Sequence, residues 1–373
     1  MLTDASRARD FPSLADRVYL NTAAEGIPPL VVRDALTQYF ADKQLGMDGR
    51  EPHFEQLSQL KSLIGEFYGL SPSETAVCSC SSEAYNLAAI AMQLQEGDEV
   101  VVNDLDFPAG VTPWMQASNP ATVKVWRSRN GALFVDDLKP LLSSRTRLVT
   151  TSLVSFFNGF LLPLDQVRDV VRSSSDALLS VDVTQALGRI PLELSDVDLI
   201  VSSTHKWILA SHGGGLVGVP SSRSSQLTVP AGGWLHLQDA FAADRFERPA
   251  TSLPGAAGFA VGMPNFPAVY AIRAALDYIR SVGVQAIADA SAPLVQHCIT
   301  ELSRMPIDLL TPVDQPIAGI IAFRHPEADQ IHKQLLQKNI HVMAHAGRLR
   351  IAIHGYNTHS DIEFLLGSLR ELV

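Results

Sequence analysis

Four segments, DEVVVND, RLVTTSLVS, DALLSVDVT and VDLIVSST, are short, apolar along their centres and free of strict period-2 alternation. A strand that is apolar on successive residues must be covered on both faces, and the cover has to come from the chain between one strand and the next. The intervening sequence provides it. SSEAYNLAAIAMQL reads as a helix with Leu87, Ile90, Ala91 and Leu94 on one face, and PLDQVRDVVRSS reads as another. TAVCSC and GGLVGVP add two more strand candidates. The pattern predicts an α/β fold whose large, doubly wound sheet is mostly parallel.

Upstream, RVYLNTAAEGIPP is a short strand closed by a Gly/Pro turn, and LVVRDALTQYFADKQLG continues as helix. SQLKSLIGEFYGL is amphipathic, with Leu60, Leu63, Ile64 and Phe67 at helical spacing. Glycine and proline become dense in SLPGAAGFAVGMPNFP, before the helical AVYAIRAALDYIRSVGV. That break predicts a large domain over 17–262 and a small α/β domain over 263–373. The small domain holds a helix at ADASAPLVQHCITELSRM, strands near IAGIIAFRH and RLRIAIH, and a closing helix from Asp361.

A net charge of −10, from 29 basic and 39 acidic residues, speaks against nucleic acid as a partner. No apolar run approaches a membrane span and the N-terminus lacks the apolar core of a signal peptide, so a cytoplasmic protein is expected. Three cysteines make no disulfide framework, and Cys78 and Cys80 are not a CxxC pair.

Three strand ends carry chemistry. Ser81 and Ser82 open a helix directly after a strand, where free N–H groups and the helix dipole suit an oxyanion; on this segment alone an ordinary serine cap is the commoner reading. Asp182 closes an apolar strand, with Gln185 three residues on; it either holds a ligand cation or caps the next turn. Lys206 follows Ser203, Thr204 and His205 at the end of the next strand, either as a surface lysine or as an amine whose burial favours the neutral form. Together an anion cradle, a carboxylate and a shielded amine describe a pyridoxal phosphate site.

These residues, with GGGLVGV, resemble the signature of the class V aminotransferase family of fold-type I pyridoxal phosphate enzymes. VYLNTAAEGIPP is similar to the family's opening, SSEAYNLAA to its phosphate loop, GMPNFP to its domain junction, and RLRIAIHGYNTHSDIEFLL to its C-terminal segment. The resemblance implies that Lys206 is the Schiff-base lysine and catalytic base, and that Asp182 pairs with the pyridine nitrogen. Gln185 would bond the ring hydroxyl, Ser82, Ser203 and His205 would hold the phosphate with Ser81 beside them in the cofactor site, and Phe107 would stack on the ring. Arg350 would clamp the α-carboxylate of a small amino acid substrate. Residues 1–16 would join the small domain, and the enzyme would be a homodimer.

Departures limit the activity. Cysteine desulfurases of this family need a cysteine shortly before the carboxylate-binding arginine, and HPEADQIHKQLLQKNIHVMAHAG has none. Met263 replaces a threonine that in many relatives reaches the neighbouring subunit's phosphate. Phe156 and Phe157 make the segment before Asn158 apolar. Transamination is the leading expectation; β-eliminating C–S or C–Se lyase activity, epimerisation and a non-catalytic binding role are the alternatives.

Two other patterns are set aside. Gly213, Gly215 and Gly218 match GxGxxG but lead into a strand, not a helix. His341 and His345, if on one strand, would lie roughly 13 Å apart, too far to share an ion. His354 reads as a satisfied structural histidine, and no metal is expected.

Overall fold

A computed structural model describes residues 1–373. Its centre is a seven-stranded sheet built from β2 (Thr75–Cys78), β3 (Glu99–Asn103), β4 (Thr122–Trp126), β5 (Thr146–Ser152), β6 (Leu178–Asp182), β7 (Leu199–Ser203) and β8 (Gly215–Gly218). The order is β2-β8-β7-β6-β5-β3-β4. All neighbours are parallel except that β8 runs antiparallel to both β7 and β2. The link from β7 to β8 is too short for a crossover helix, so the chain returns through Gly213, at φ 87°, and β8 must reverse. The C-terminal ends of the other six strands share one edge of the sheet, where open α/β sheets bind ligands.

Eleven α-helices complete the chain: α1 (Asp4–Asp10), α2 (Leu30–Gln44), α3 (Arg50–Tyr68), α4 (Ser81–Met92), α5 (Pro108–Val111), α6 (Val135–Leu138), α7 (Leu164–Ser174), α8 (Phe266–Val282), α9 (Val284–Leu302), α10 (Ala328–Gln337) and α11 (His359–Arg370). One face of the large sheet is covered by α3, α7 and α8, whose Leu60, Val167 and Ile272 join Val149, Leu179 and Val181 in a single core. The other face packs Ala84, Tyr85 and Ala88 of α4 against Val100, Val102 and Val201. Each fully buried leucine, isoleucine or valine among them contributes about 2 kcal/mol by leaving water, and an alanine less.

The second sheet is antiparallel, in the order β12-β13-β10-β9, from β9 (Asp308–Leu309), β10 (Ile320–Arg324), β12 (Met343–His345) and β13 (Arg348–Ala352). Its outer face, Ile321, Phe323, Leu349 and Ile351, packs with α9, α10 and α11. Near the N-terminus, β1 (Val18–Tyr19) pairs in parallel with β11 (Ile340–His341). Met1, Phe11 and Leu14 are buried with Ile287 and Tyr356.

Several local expectations shift. Ile90 is 48% exposed, because α4 turns its alanine-rich side, Ala84, Ala88 and Ala91, toward the sheet. The edge strand β4 and the helix α10 carry no signal that the strand and helix patterns above picked up. Phe266, Val269 and Ile272 of α8 belong to the core of the large sheet, while Ile279 packs with Phe11 and Ile287. α8 is therefore anchored in both clusters. No helix is long and apolar enough to cross a membrane.

Candidate active site

The strand edge brings the sequence candidates together. One pocket is lined by Ser81, Phe107, Asp182, Gln185, Ser203 and Lys206, joined by Ser152, Phe156 and Thr184. It is tight. A cavity of about 810 Å³ lies farther out, between Phe157 and Arg129 on one side and Leu310 and Arg324 on the other. We assign the chemistry to the tight pocket, because the buried ionisable groups are there.

Lys206 sits in a bend just past β7. Its backbone is pinned from two directions. The Gly26 N–H donates to the His205 carbonyl at 2.7 Å, and the Leu209 N–H donates to the Lys206 carbonyl at 3.0 Å. A β-carbon on Gly26 would lie 2.0 Å from that Lys206 oxygen, so the EGIPP turn requires glycine there. No carboxylate lies within ion-pair distance of the amine. Its Nζ lies 5.1 Å from the Phe107 ring centre. Burial pushes the amine down to about 8, with Asp182 opposing and Arg350 adding to the shift.

Asp182 ends β6 with both oxygens engaged. Thr184 N–H donates at 2.8 Å and Tyr85 O–H at 3.2 Å, which aims the carboxylate into the pocket. Burial raises its pKa, against the Thr184 hydrogen bonds and the Lys206 charge. The turn-capping reading is thus also correct, because Asp182 both caps and faces the pocket. Tyr85 was not foreseen; it lies on α4 four residues after Ser81, on the buried face. Nor was Asp106, which accepts from Ser152 N–H at 2.8 Å and is pushed up to about 7, chiefly by burial.

At the start of α4 the serines part company. Cys80, not a serine, occupies the N-cap and accepts from Glu83 N–H at 3.4 Å. Ser81 faces inward, its Oγ 2.9 Å from the Ser203 Oγ across two strand ends. Ser82 is exposed and lies outside the pocket, as successive helical side chains must diverge.

Gln185 is more constrained than expected. Its Nε2 donates to the Ala23 carbonyl at 3.2 Å and its Oε1 accepts from Trp207 Nε1 at 2.5 Å, leaving one N–H free. His205 stacks on His212 with ring centres 4.5 Å apart, and burial pushes it down to about 4, so it is neutral at pH 7. Phe107 is 46% exposed and meets Phe156 edge-on at 5.1 Å. Arg350, on β13, is 4% exposed and has no acidic partner. Its Nη1 donates to the Phe156 carbonyl at 2.8 Å, while its Nε has no partner.

His354 is buried; its Nε2 donates to the Trp207 carbonyl at 2.8 Å and its Nδ1 accepts from Gly355 N–H, so it is structural. His341 and His345 fall on different strands. Met263 is 49% exposed. Cys78 and Cys298 are buried, and Cys80 is held at its cap. Where a cysteine-bearing loop would precede Arg350, β12 and β13 are joined by a two-residue turn, Ala346 at φ 51° and Gly347 at φ 74°.

The profile of the family Aminotransferase class-V matches residues 18–365. The chain belongs to the class V aminotransferase family. Among its relatives is the uncharacterized aminotransferase YcbU of Bacillus subtilis (strain 168), 23% identical over 96% of this chain and 95% of that protein. A probable cysteine desulfurase of Mycolicibacterium paratuberculosis (strain ATCC BAA-968 / K-10) is 26% identical over 97% of this chain, which spans 57% of that longer protein. Among solved structures, a C-DES mutant with glycine covalently linked to its PLP cofactor superposes with a TM-score of 0.87, at 21% identity, over 97% of this chain and 98% of that one.

As a class V aminotransferase family member the chain is a pyridoxal phosphate enzyme, and its own residues fit that cofactor. Lys206 is a buried amine with no ion-pair partner, Asp182 a buried carboxylate aimed at the same space, and Ser81 and Ser203 a hydroxyl pair at a helix start. No metal is needed to complete this donor set.

Proposed function

We propose that this protein is an aminotransferase that takes the amino group from a small α-amino acid, with Lys206 as both the covalent anchor of the cofactor and the catalytic base. The observation that carries the reading is the Lys206 amine itself, buried, unpaired and lowered to about 8, beside a fixed Asp182 carboxylate. Pyridoxal phosphate supplies an aldehyde for that amine and a cationic pyridine ring that withdraws electrons from the substrate α-carbon. The chain's residues do the rest.

Asp182, anchored by Thr184 and Tyr85, is the partner for a protonated ring nitrogen, and its burial strengthens that pairing. Ser81, Ser203, the first N–H groups of α4 and a neutral His205 would hold phosphate oxygens. Phe107 covers Nζ and keeps water from the amine. The free N–H of Gln185 is left for a ring substituent. Arg350 takes the substrate α-carboxylate and sets the α C–H toward Lys206 Nζ, which accepts and returns the proton.

β-Elimination is the second reading, favoured by the desulfurase relatives. A persulfide relay through a mobile cysteine is disfavoured by the two-residue turn before Arg350. We also propose that the protein works as a homodimer, a reading that the exposed Phe241, Phe246 and Met263 support. Stopped-flow spectra with a panel of amino acids test the reaction type. Conversion to a stable pyridoxamine-like spectrum with release of keto acid supports transamination. Ammonia or sulfide release with an unchanged cofactor spectrum would replace it with the lyase.

A further inference from the structure

The antiparallel pair β10–β13 presents one face to the large domain and one to its own helices. On the face toward the large domain the cross-strand pairs are Ile320 with Ala352, then Ala322 with Arg350, then Arg324 with Arg348. Ile320 and Ala352 pack on Trp207, the residue after Lys206. Successive pairs on this face therefore step away from the catalytic lysine, first to Arg350 and then to a second arginine pair.

That pair has no charge partner. Arg348 is 6% exposed, yet no carboxylate lies within ion-pair distance of it or of Arg324. Its Nη1 donates to the Phe157 carbonyl at 2.6 Å, and its guanidinium lies 4.1 Å from the Phe157 ring centre and 5.8 Å from that of Phe156. Phe156 lines the Lys206 pocket, whereas Phe157 and Arg324 line the cavity of about 810 Å³. Like charges set directly opposite on neighbouring strands destabilise a sheet. A buried guanidinium without a counter-charge is costly, and an anion lying between the two would offset that cost. Asp308, the β9 neighbour of Arg324, and Asp314, also in the cavity, stay beyond ion-pair distance.

We propose that the substrate is an amino acid with a second, distal carboxylate, and that Arg348, assisted by Arg324, binds it while Arg350 holds the α-carboxylate. The inference rests on the reading of Arg350 given above. Same-face neighbours on a strand are roughly 7 Å apart at their α-carbons, close enough for the two flexible arginine side chains to converge on the two carboxylates of one dicarboxylic amino acid. Arg348 is a specificity residue here, since it touches the substrate away from the reacting carbon.

The test compares kcat/KM of the holoenzyme for L-glutamate and L-aspartate with that for their uncharged isosteres L-glutamine and L-asparagine. The wild type is expected to favour the acids by about 10²-fold. In Arg348→Met the acid-to-amide ratio falls by about 10²-fold, whereas Arg350→Met loses acids and amides alike. Arg324→Gln, at an exposed position, lowers the ratio several-fold and carries the test should Arg348→Met fail to fold. A wild type that accepts the amides as well as the acids, or turns over other amino acids but neither acid, overturns the proposal and leaves the function reading intact. So does stabilisation by inorganic phosphate that Arg348→Met abolishes with the ratio unchanged, which would mean a separate anion. Failure of Lys206 to capture the cofactor would instead remove the function reading itself.

Discussion

Neutralising Asp182 and neutralising Arg350 shift the titration of Lys206 in opposite directions. The amine moves from an ordinary 10.5 to about 8, chiefly through burial, with Asp182 raising it and Arg350 lowering it. That lowering corresponds to a few kcal/mol in favour of the neutral amine, on the order of 1.4 kcal/mol for each tenfold change. At pH 7 roughly a tenth of the protein then holds a nucleophilic amine, about 300-fold more than for an exposed lysine. In Arg350→Met the midpoint rises by roughly one unit, and in Asp182→Asn it falls by a similar amount, the scale on which one neighbouring charge acts. The assay is the rate at which apo-protein captures pyridoxal phosphate, read from the visible band over a pH series bracketing 8. A wild-type midpoint near 10.5 would mean that the amine is hydrated. Two variants moving the same way would mean that the pocket reorganises and that charge is not the cause.

Arg350→Met lowers kcat/KM for amino acids by about 10²–10³-fold, while an amine substrate without a carboxylate is spared, as steady-state kinetics on the two would show. Gly26→Ala drives a methyl into the Lys206 carbonyl at 2.0 Å; it costs about 2–4 kcal/mol, and the folded remainder captures less cofactor per chain. Glu99, held down to about 2 by Lys124, Ser143 and Arg145, contributes stability in full above its unfolded value of 4.5 and loses it as pH falls toward 2. Glu99→Gln should therefore lower urea-unfolding stability at pH 7 by about 2 kcal/mol, since Arg145 is mostly exposed, and flatten the acid limb of the stability curve.

The strands that carry the site were legible because they are buried on both faces, so that DALLSVDVT and VDLIVSST show their apolar centres and their polar ends, Asp182 and Ser203, in one reading. The edge strand β4 was not, because TVKVW puts a lysine in the middle and exposes one end. Reversal of β8 follows from the length of the β7–β8 link, which no residue pattern announces. At the site, a motif names positions but not directions: it offered Ser81 and Ser82 together, and only helix geometry turns one in and the other out. Tyr85 and Asp106 escaped because each acquires its meaning from a partner on another element, Asp182 and Ser152. Gly26 could not be read as a site residue at all, since its role is to let a distant turn approach the Lys206 backbone. Pairing of Arg348 with Arg324 is likewise a matter of strand register.

The central claim is that Lys206 is the amine that binds the cofactor. Protein saturated with pyridoxal phosphate is reduced with borohydride, digested, and searched by mass spectrometry for the pyridoxyl adduct. The account predicts one stoichiometric adduct, on the peptide containing Lys206, and no visible band in Lys206→Ala. An adduct spread over surface lysines, or a band that persists in that variant, would contradict it.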